Sequence, residues 1–449
     1  MSRFCLSILT NPIISSIIRI IILFKEVLSM ENEALFLSIL EEELIPAMGC
    51  TEPIALAYAA ARGSELLLGP PASIIARCSG NMIKNVRCVS IPNSDGMIGI
   101  EAAVVLGAFG GKYQLGMEVL EAVSDDDRLV TKQFLSDGNC RVEYLDSDIP
   151  LHFILELTDG SDVVTVEVKH SHMNITEICK NGKLILSKPD SIEENSTDRS
   201  KLNIESIKEF SDNIEIDKIK KLFDKQIRYN MDIAYEGISG EYGLGIGRVI
   251  RASYADGVVT RMKAYAAAAS EARMSGCDMP VIINSGSGNQ GIASSVPIIV
   301  YAREMDIPKE KLYRALVFSA LLTIHQKDHI GKLSAFCGAV SASCAACAAI
   351  TYMVGGTVTQ IKATIDNTLA NIPGIICDGA KISCAAKIAS SLDAAMMAHF
   401  LAMQNKGYDA YSGILKEETG ETISCVGYIG KIGMRETDRE IVKMMLDED

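Results

Sequence analysis

The chain has 449 residues, enough for a large hydrophobic core and for two or three domains. Its net charge of -14 at pH 7 argues against nucleic acid as a partner, because phosphate neutralisation needs a basic surface. The 13 cysteines are odd in number and several lie in Ala-rich runs, which argues against a secreted disulfide framework and predicts a cytoplasmic protein.

The first 29 residues are apolar but do not have the pattern of a membrane span. Asn11, Pro12 and Arg19 interrupt the run, and no small-x-small cleavage site follows it. We therefore predict neither a signal peptide nor a membrane anchor in residues 1–29. A chain that begins at Met30 is expected to keep its fold and its activity.

Two helices are predicted next. The pattern of residues 31–44 is helical and ends before Pro46. Thr51 is predicted to be the N-cap of a second helix that extends to Arg62, with Pro53 in its first turn. We group residues 30–70 as a helical hairpin that packs on the catalytic body.

A mixed α/β domain is predicted over residues 71–188. Its first part, residues 72–92, has strand or turn character, and residues 96–110 form a Gly/Ala-rich buried helix. Short β-branched runs separated by Asp/Gly and Asn/Gly turns in residues 140–187 predict an antiparallel meander with one solvated face.

The remainder is predicted to be helical. Residues 189–204 are polar and rich in turn formers, which indicates a linker. Residues 205–449 are then predicted to form a helical body. The fold class is therefore α+β. Ala-rich helices also allow a membrane permease, but charges recur throughout this half and the chain has no Trp to anchor it at a bilayer surface.

The Gly-rich stretch GSGNQG, from Gly286 to Gly291, matches a dinucleotide-binding pattern. That pattern also needs an acidic residue at the end of a second strand about 20 residues later. The residue found there is Glu310, at the start of a charged helix. Backbone amides at this helix N-terminus would instead hold a smaller anion, such as a carboxylate. A flexible turn is an equally good interpretation.

Two further groups invite metal binding and are better explained otherwise. Cys344 and Cys347 lie among Ala and Ser, where cysteine is a small buried hydrophobe. His325 and His329 are one helical turn apart, but HQKDH has no glutamate where a zinc protease needs its base. Metal binding by these four residues is therefore not favoured.

Lys332 and Lys381 would each allow a pyridoxal Schiff base, but no other feature specifies that cofactor.

Cys50 immediately precedes the predicted second helix. The helix dipole there would lower the pKa of its thiol. Cys50 is then either a base or nucleophile, or a buried loop cysteine, and the sequence leaves both open.

Five ordered blocks carry a resemblance to a known family. They are IPAMGCTEPIALAYAAA, SGNMIKNVRCVSIP, NSGSGNQGI, SAFCGAVSA and GIICDGAKISCAAKIA. Together they resemble the L-cysteine desulfidase family of the UPF0597 type, which is related to the alpha chain of iron–sulfur L-serine dehydratases. The resemblance extends from about Met30 to the C-terminus, and family chains typically begin near Met30.

The resemblance implies a [4Fe–4S] cluster held by Cys337, Cys377 and Cys384, with Asp378-Gly379 turning the chain between the last two. It implies that Cys50 accepts a proton. The implied activity is a lyase that converts L-cysteine to sulfide, ammonia and pyruvate, without pyridoxal phosphate. A serine dehydratase and a non-enzymatic metal-binding sensor are the alternatives.

The resemblance does not assign the residues that bind the substrate carboxylate, and it leaves a homodimer open. The candidates for this carboxylate are polar residues of two blocks: Asn81, Lys84, Asn85, Ser285, Ser287 and Asn289.

Overall fold

The structure is a computed structural model that describes residues 31–188, 197–331 and 333–446. The predicted extension 1–29 and Lys332 lie outside the described residues, as do residues 189–196, the first half of the predicted linker. Helices and strands alternate in the first half of the described chain, and helices dominate the second half. The predicted α+β class is confirmed.

The elements before the linker form a sheet with helices against it. The helices are α1 (31–43), α2 (Thr51–Ser64), α3 (Gly80–Val86), α4 (Gly99–Gly110) and α5 (Asp125–Ser136). The strands are β1 (Pro46–Met48), β2 (Ser73–Cys78), β3 (Cys140–Tyr144), β4 (His152–Thr158), β5 (Val163–Lys169), β6 (Ile175–Lys180) and β7 (Lys183–Ser187).

The predicted meander is present from β4 to β7, but β3 does not belong to it. The six-stranded sheet has the order β3-β2-β4-β5-β6-β7, and β4 to β7 pair antiparallel. β3 instead pairs parallel to β2, with Ile74 opposite Cys140. A parallel pair needs a long crossover, and helices α3 to α5 provide it. The predicted strand character of 72–92 holds for β2 alone, since α3 follows it.

The elements after the linker are almost all helical. The helices are α6 (Ile204–Asn213), α7 (Ile216–Ser239), α8 (Ile246–Ser253), α9 (Val258–Met274), α10 (Gly288–Glu304), α11 (Lys309–Ile330), α12 (Gly338–Met353), α13 (Val358–Asn371), α14 (Cys384–Met403), α15 (Thr419–Tyr428) and α16 (Arg435–Leu446). Strand β8 (Pro280–Ile282) pairs antiparallel with β1. Helix α12 packs against α10, α11, α13 and α14.

Helix α1 contacts the helical half of the chain through an aromatic pair. The Phe36 ring of α1 meets the Phe210 ring of α6 edge to face, with centroids 5.3 Å apart. Helix α2 packs on α4 and on strands β4 and β5. The buried core is continuous across both halves of the chain, from Phe36 to Val426. The division into domains, including the predicted hairpin of residues 30–70, therefore stays a prediction.

Within the described residues, no helix is long and apolar enough to span a membrane.

Helices α2 and α4 meet through their backbones. A Cβ atom at Gly107 would overlap the backbone of Ala57, so only glycine permits this approach. Gly63 of α2 lies similarly close to the Leu157 side chain of β4.

Gly107→Ala should lower the free energy of unfolding by about 1–3 kcal/mol, because the new methyl group must push α4 away from α2. Chemical denaturation measures the change. Gly420→Ala in α15 is the matched control, since nothing lies within 4 Å of a Cβ there. The control should be neutral or stabilising by at most about 1 kcal/mol. Equal stabilities of the two variants would contradict the close approach.

Candidate functional site

A cavity of about 1200 Å³ lies between the mixed sheet part and the helical body. The start of α2, the start of α3, the loop before α10, the loops before α12 and α14, and helix α16 surround it. Nine of the ten predicted site residues line it: Cys50, Asn81, Asn85, Ser285, Ser287, Asn289, Cys337, Cys377 and Cys384. The sequence blocks therefore converge in space although they are far apart along the chain.

The loops that carry Cys337 and Cys377 are held together by a short antiparallel bridge. The Cys337 amide donates to the Ile375 carbonyl at 2.8 Å, and the Cys377 amide donates to the Ala335 carbonyl at 2.7 Å. Phe336 and Ile376 are opposite each other in this bridge. The two thiols consequently lie side by side and hydrogen bond to each other.

The charges around these thiols favour one thiolate. The hydrogen bond from Cys337 lowers the pKa of Cys377 to about 6, with further help from the positive charges of Lys84 and Lys387. The same hydrogen bond, together with burial, raises the pKa of Cys337 well above its usual value. The proton of the pair therefore resides on Cys337. Thiolate is the form in which cysteine binds metals.

Cys384 is the first residue of α14, and burial raises the pKa of its thiol. Its Sγ lies 3.9 Å from the Gly379 carbonyl oxygen. Gly379 has φ of 96°, and a Cβ there would overlap the Lys84 carbonyl. The Asp378-Gly379 turn thus lets the loop approach α3 closely.

Lys381, one of the two lysines considered for a pyridoxal Schiff base, does not line the cavity. Its ammonium pairs with Asp378.

Three cysteine thiols at one end of a cavity, with cationic groups around them, form the kind of donor set that iron–sulfur clusters use. Lys327 lies in the same region, and burial lowers its pKa to about 8. Among the residues that the structure describes, no group of three His, Cys, Asp or Glu side chains is arranged to hold a single metal ion. The His325 and His329 rings meet edge to face, 5.1 Å apart.

Cys50 is the N-cap residue of α2, one position before the predicted cap Thr51, and it is 4% exposed. Its Sγ donates to Glu52 Oε2 at 3.2 Å. Burial, and then the negative charge of Glu52, raise the pKa of this thiol well above its usual value. The expected lowering by the helix dipole is wrong, because burial and the adjacent carboxylate act more strongly than the dipole.

The loop before α10 is not a dinucleotide site. A dinucleotide fold needs a parallel strand before the Gly-rich turn. Here β8 has three residues and pairs antiparallel with β1. The Gly286 carbonyl lies 2.9 Å from the Thr51 hydroxyl, which also lies 3.0 Å from Glu52 Oε2. This contact fixes the Gly-rich loop beside Cys50.

Lys84 is the one predicted site residue that does not line the cavity. Its fully buried ammonium pairs with Asp438 of α16, and the Asn81 amide donates to the same carboxylate at 2.7 Å. Val442 of α16 covers Gly80, where a Cβ would meet it at 3.0 Å. Helix α16 is thus fastened over one wall of the cavity.

Sequence reasoning missed three residues that line the cavity, namely Glu52, Arg273 and Asp438. Glu52 lies two residues after Cys50 in the block IPAMGCTEPIALAYAAA, but the resemblance assigns it no role. Arg273 is a buried cation in the long Ala-rich helix α9, and an arginine among alanines was the only signal. Asp438 belongs to a helix that no block contains.

The fold and the cavity define an α+β protein with a large cavity lined by cysteines and polar residues. The family model described as "Serine dehydratase alpha chain" matches residues 114–443. A UPF0597 protein of Desulfitobacterium hafniense is 44% identical over 92% of this chain and 96% of its own length. The UPF0597 proteins of Lachnoclostridium phytofermentans and Treponema denticola are 44% and 43% identical, each over 92% of this chain, with 99% and 98% of their own lengths covered.

The chain therefore belongs to the serine dehydratase alpha chain family, among relatives of the UPF0597 type. The family is one of iron–sulfur dehydratase-type lyases. The predicted resemblance is confirmed at this level, and the chain is an enzyme of this general kind.

Asp438→Asn should detach α16 from α3, because it leaves the buried Lys84 ammonium without its counter-charge. We expect a loss of about 3 kcal/mol in unfolding free energy and faster proteolysis within residues 435–446. Denaturation and limited proteolysis with mass spectrometry measure the two effects. Arg439→Gln is the control, since its ion pair with Asp148 is exposed and worth at most about 1 kcal/mol. Unchanged proteolysis in Asp438→Asn would contradict this role of the pair.

Proposed function

We propose that the protein is an iron–sulfur lyase that removes sulfide from L-cysteine by β-elimination. The observation that supports this most directly is the convergence of Cys50 with Cys337, Cys377 and Cys384 on one cavity. A small amino acid fits a cavity of this size, which also has room for a bound cofactor. A serine dehydratase is the second candidate, because the matching family model bears that name.

Cys337, Cys377 and Cys384 are the proposed ligands of a [4Fe–4S] cluster. Such a cluster, held by three cysteines, supplies a Lewis acid at the iron that lacks a protein ligand. The chain itself contributes the short bridge that sets Cys337 beside Cys377, and the positive charges of Lys84 and Lys387 that favour the Cys377 thiolate. These features prepare the loops to bind metal.

Cys50 is the proposed acceptor of the substrate's α-proton. The thiol is protonated at rest, since its pKa is raised, and its hydrogen bond to Glu52 Oε2 gives the thiol proton an acceptor. Once deprotonated, a thiol of raised pKa is a stronger base than an ordinary thiolate. Cys50 must lose this proton before it can act as the base, and Glu52 Oε2 is the acceptor that lies beside it.

The overall chemistry balances without an oxidant. The α-proton moves to the Cys50 thiolate, and the electron pair of the C–H bond forms the Cα=Cβ bond. The C–S bond breaks and its electron pair leaves with sulfur as sulfide. The aminoacrylate product then adds water to give pyruvate and ammonia.

Anaerobic purification followed by assays with L-cysteine and L-serine tests the proposal. We expect a brown protein that forms equimolar sulfide and pyruvate from L-cysteine, with the larger kcat/KM for that substrate. A larger kcat/KM for L-serine would instead establish the dehydratase. Iron-bearing protein that forms no pyruvate from either amino acid would overturn both and favour a metal-binding sensor.

Cys50→Ala should retain iron and the brown chromophore but lose at least about 100-fold in kcat, because it removes the acid–base group. Iron analysis, the visible spectrum and the pyruvate assay measure these effects. Cys425→Ala is the matched control, since this cysteine does not line the cavity. Loss of iron in Cys50→Ala would make Cys50 a ligand instead of a base.

Cys337→Ala, Cys377→Ala and Cys384→Ala should each lose the chromophore and activity together, because each removes one of three ligands. Cys344→Ala and Cys347→Ala are controls of the same chemistry, since both cysteines are buried within α12 and away from the cavity. Iron content and pyruvate formation are measured for all five variants. Full iron content in any of the first three would remove that residue from the ligand set.

A further inference from the structure

Arg273 is a buried cation without a counter-charge. It is 1% exposed, and no carboxylate in the described part of the chain forms an ion pair with it. Its Nη1 donates to Asn289 Oδ1 at 3.1 Å, while Nε and Nη2 have no hydrogen-bond partner. A buried charge of this kind is costly unless an anion accompanies it. The site is therefore incomplete without an anion.

The position of Arg273 indicates where that anion lies. Arg273 lines the same cavity as the four predicted cysteines. Its positive charge acts on the thiols of both Cys50 and Cys384, lowering the pKa of each, although other effects outweigh it. The guanidinium is thus near the proposed base and also near one of the proposed metal ligands.

The first turn of α10 lies against this guanidinium. Gly288 is the first residue of α10, and a Cβ there would overlap Arg273 Nε and lie 2.6 Å from Cζ. Asn289, which accepts from Arg273, also accepts from the Ser270 hydroxyl at 3.0 Å and is thereby oriented. The helix N-terminus and the guanidinium both favour negative charge at this point.

The other cations near the site are exposed, paired or close to the proposed metal ligands. Four of them line the cavity but are exposed: Lys431, Arg435, Arg439 and Lys443. Lys84 is paired with Asp438 and does not line the cavity. Lys387 is paired with Asp378 at 2.5 Å. Lys327 lies by Cys337 and Cys377, the proposed metal ligands, and burial lowers its pKa to about 8. Arg273 is therefore the cation best placed to meet an anionic group of a small ligand.

We infer that Arg273 binds the carboxylate of the substrate, with the first turn of α10 as its second contact. This inference rests on the proposed function, and it defines the ligand class as small α-carboxylates. The planar guanidinium can bind a carboxylate through two parallel hydrogen bonds, which lysine cannot do. Its two unpartnered nitrogens, Nε and Nη2, form such a pair of donors.

Two thiol probes isolate the carboxylate in a binding experiment. 3-Mercaptopropionate carries a thiol and a carboxylate, whereas 2-aminoethanethiol carries a thiol and no carboxylate. Calorimetry of the anaerobically purified holoprotein measures both affinities. Arg273→Gln should weaken the binding of 3-mercaptopropionate on the order of 10- to 100-fold and leave the binding of 2-aminoethanethiol unchanged. Arg273→Lys should give an intermediate loss, because it keeps the charge and loses the paired donors.

Arg439→Gln is the matched control, since it removes an exposed guanidinium that lines the same cavity. It should leave both affinities within about twofold of the wild type, because an exposed charge is screened. If Arg273→Gln does not fold, Arg273→Lys carries the test alone, with the same selective loss expected for 3-mercaptopropionate.

The inference is overturned if the Arg273 variants bind 3-mercaptopropionate as tightly as the wild type does. Loss of iron and visible absorption with unchanged carboxylate affinity would overturn it too, and would make Arg273 a partner of the cluster. Failure of the proposed function looks different. Wild-type protein would then show Arg273-dependent binding of 3-mercaptopropionate and form no pyruvate from either amino acid.

Discussion

The structure depends on close approach between backbones at glycines. A side chain at Gly107 would overlap Ala57, one at Gly237 would overlap Ala268, and one at Gly291 would overlap Ile282. These contacts set α4 against α2, α7 against α9, and α10 against β8. Small residues at such crossings allow helix axes to come closer than large side chains permit. The Gly- and Ala-rich composition is thus a packing requirement, and the cavity forms where the closely packed elements end.

Local patterns were enough to predict the elements that are stabilised by their neighbours in sequence. The buried helix α4 and the meander from β4 to β7 follow from hydrophobic periodicity and turn residues. The parallel pairing of β3 with β2 and the pairing of β1 with β8 could not be predicted in this way. These pairs join distant segments, and a short strand has no sequence feature that names its partner.

The candidate site was predictable in its membership but less so in its electrostatics. Nine residues of the ordered blocks line one cavity, and the family resemblance was what singled out those blocks. The thiol pKa of Cys50 was predicted in the wrong direction, since sequence shows a helix start but does not show burial. Lys84 was a candidate for binding the substrate carboxylate, but its ammonium pairs with Asp438. That partner lies more than 350 residues away along the chain, so sequence could not show the pair.

Arg273 and the four cysteines line one cavity, so their proposed roles can be compared with the atoms of an amino acid that has a leaving group at Cβ. Its carboxylate is bonded to Cα, which carries the proton to be removed, and Cβ carries the leaving sulfur. Under the proposal, a carboxylate bound at Arg273 places Cα one bond away from a fixed group, and Arg273 is near Cys50, the proposed proton acceptor. The sulfur on Cβ is then proposed to meet the ligand set of Cys337, Cys377 and Cys384, which lines the same cavity. Anchoring one end of so small a molecule leaves little freedom for the rest, so under this proposal one buried arginine contributes much of the orientation that elimination requires.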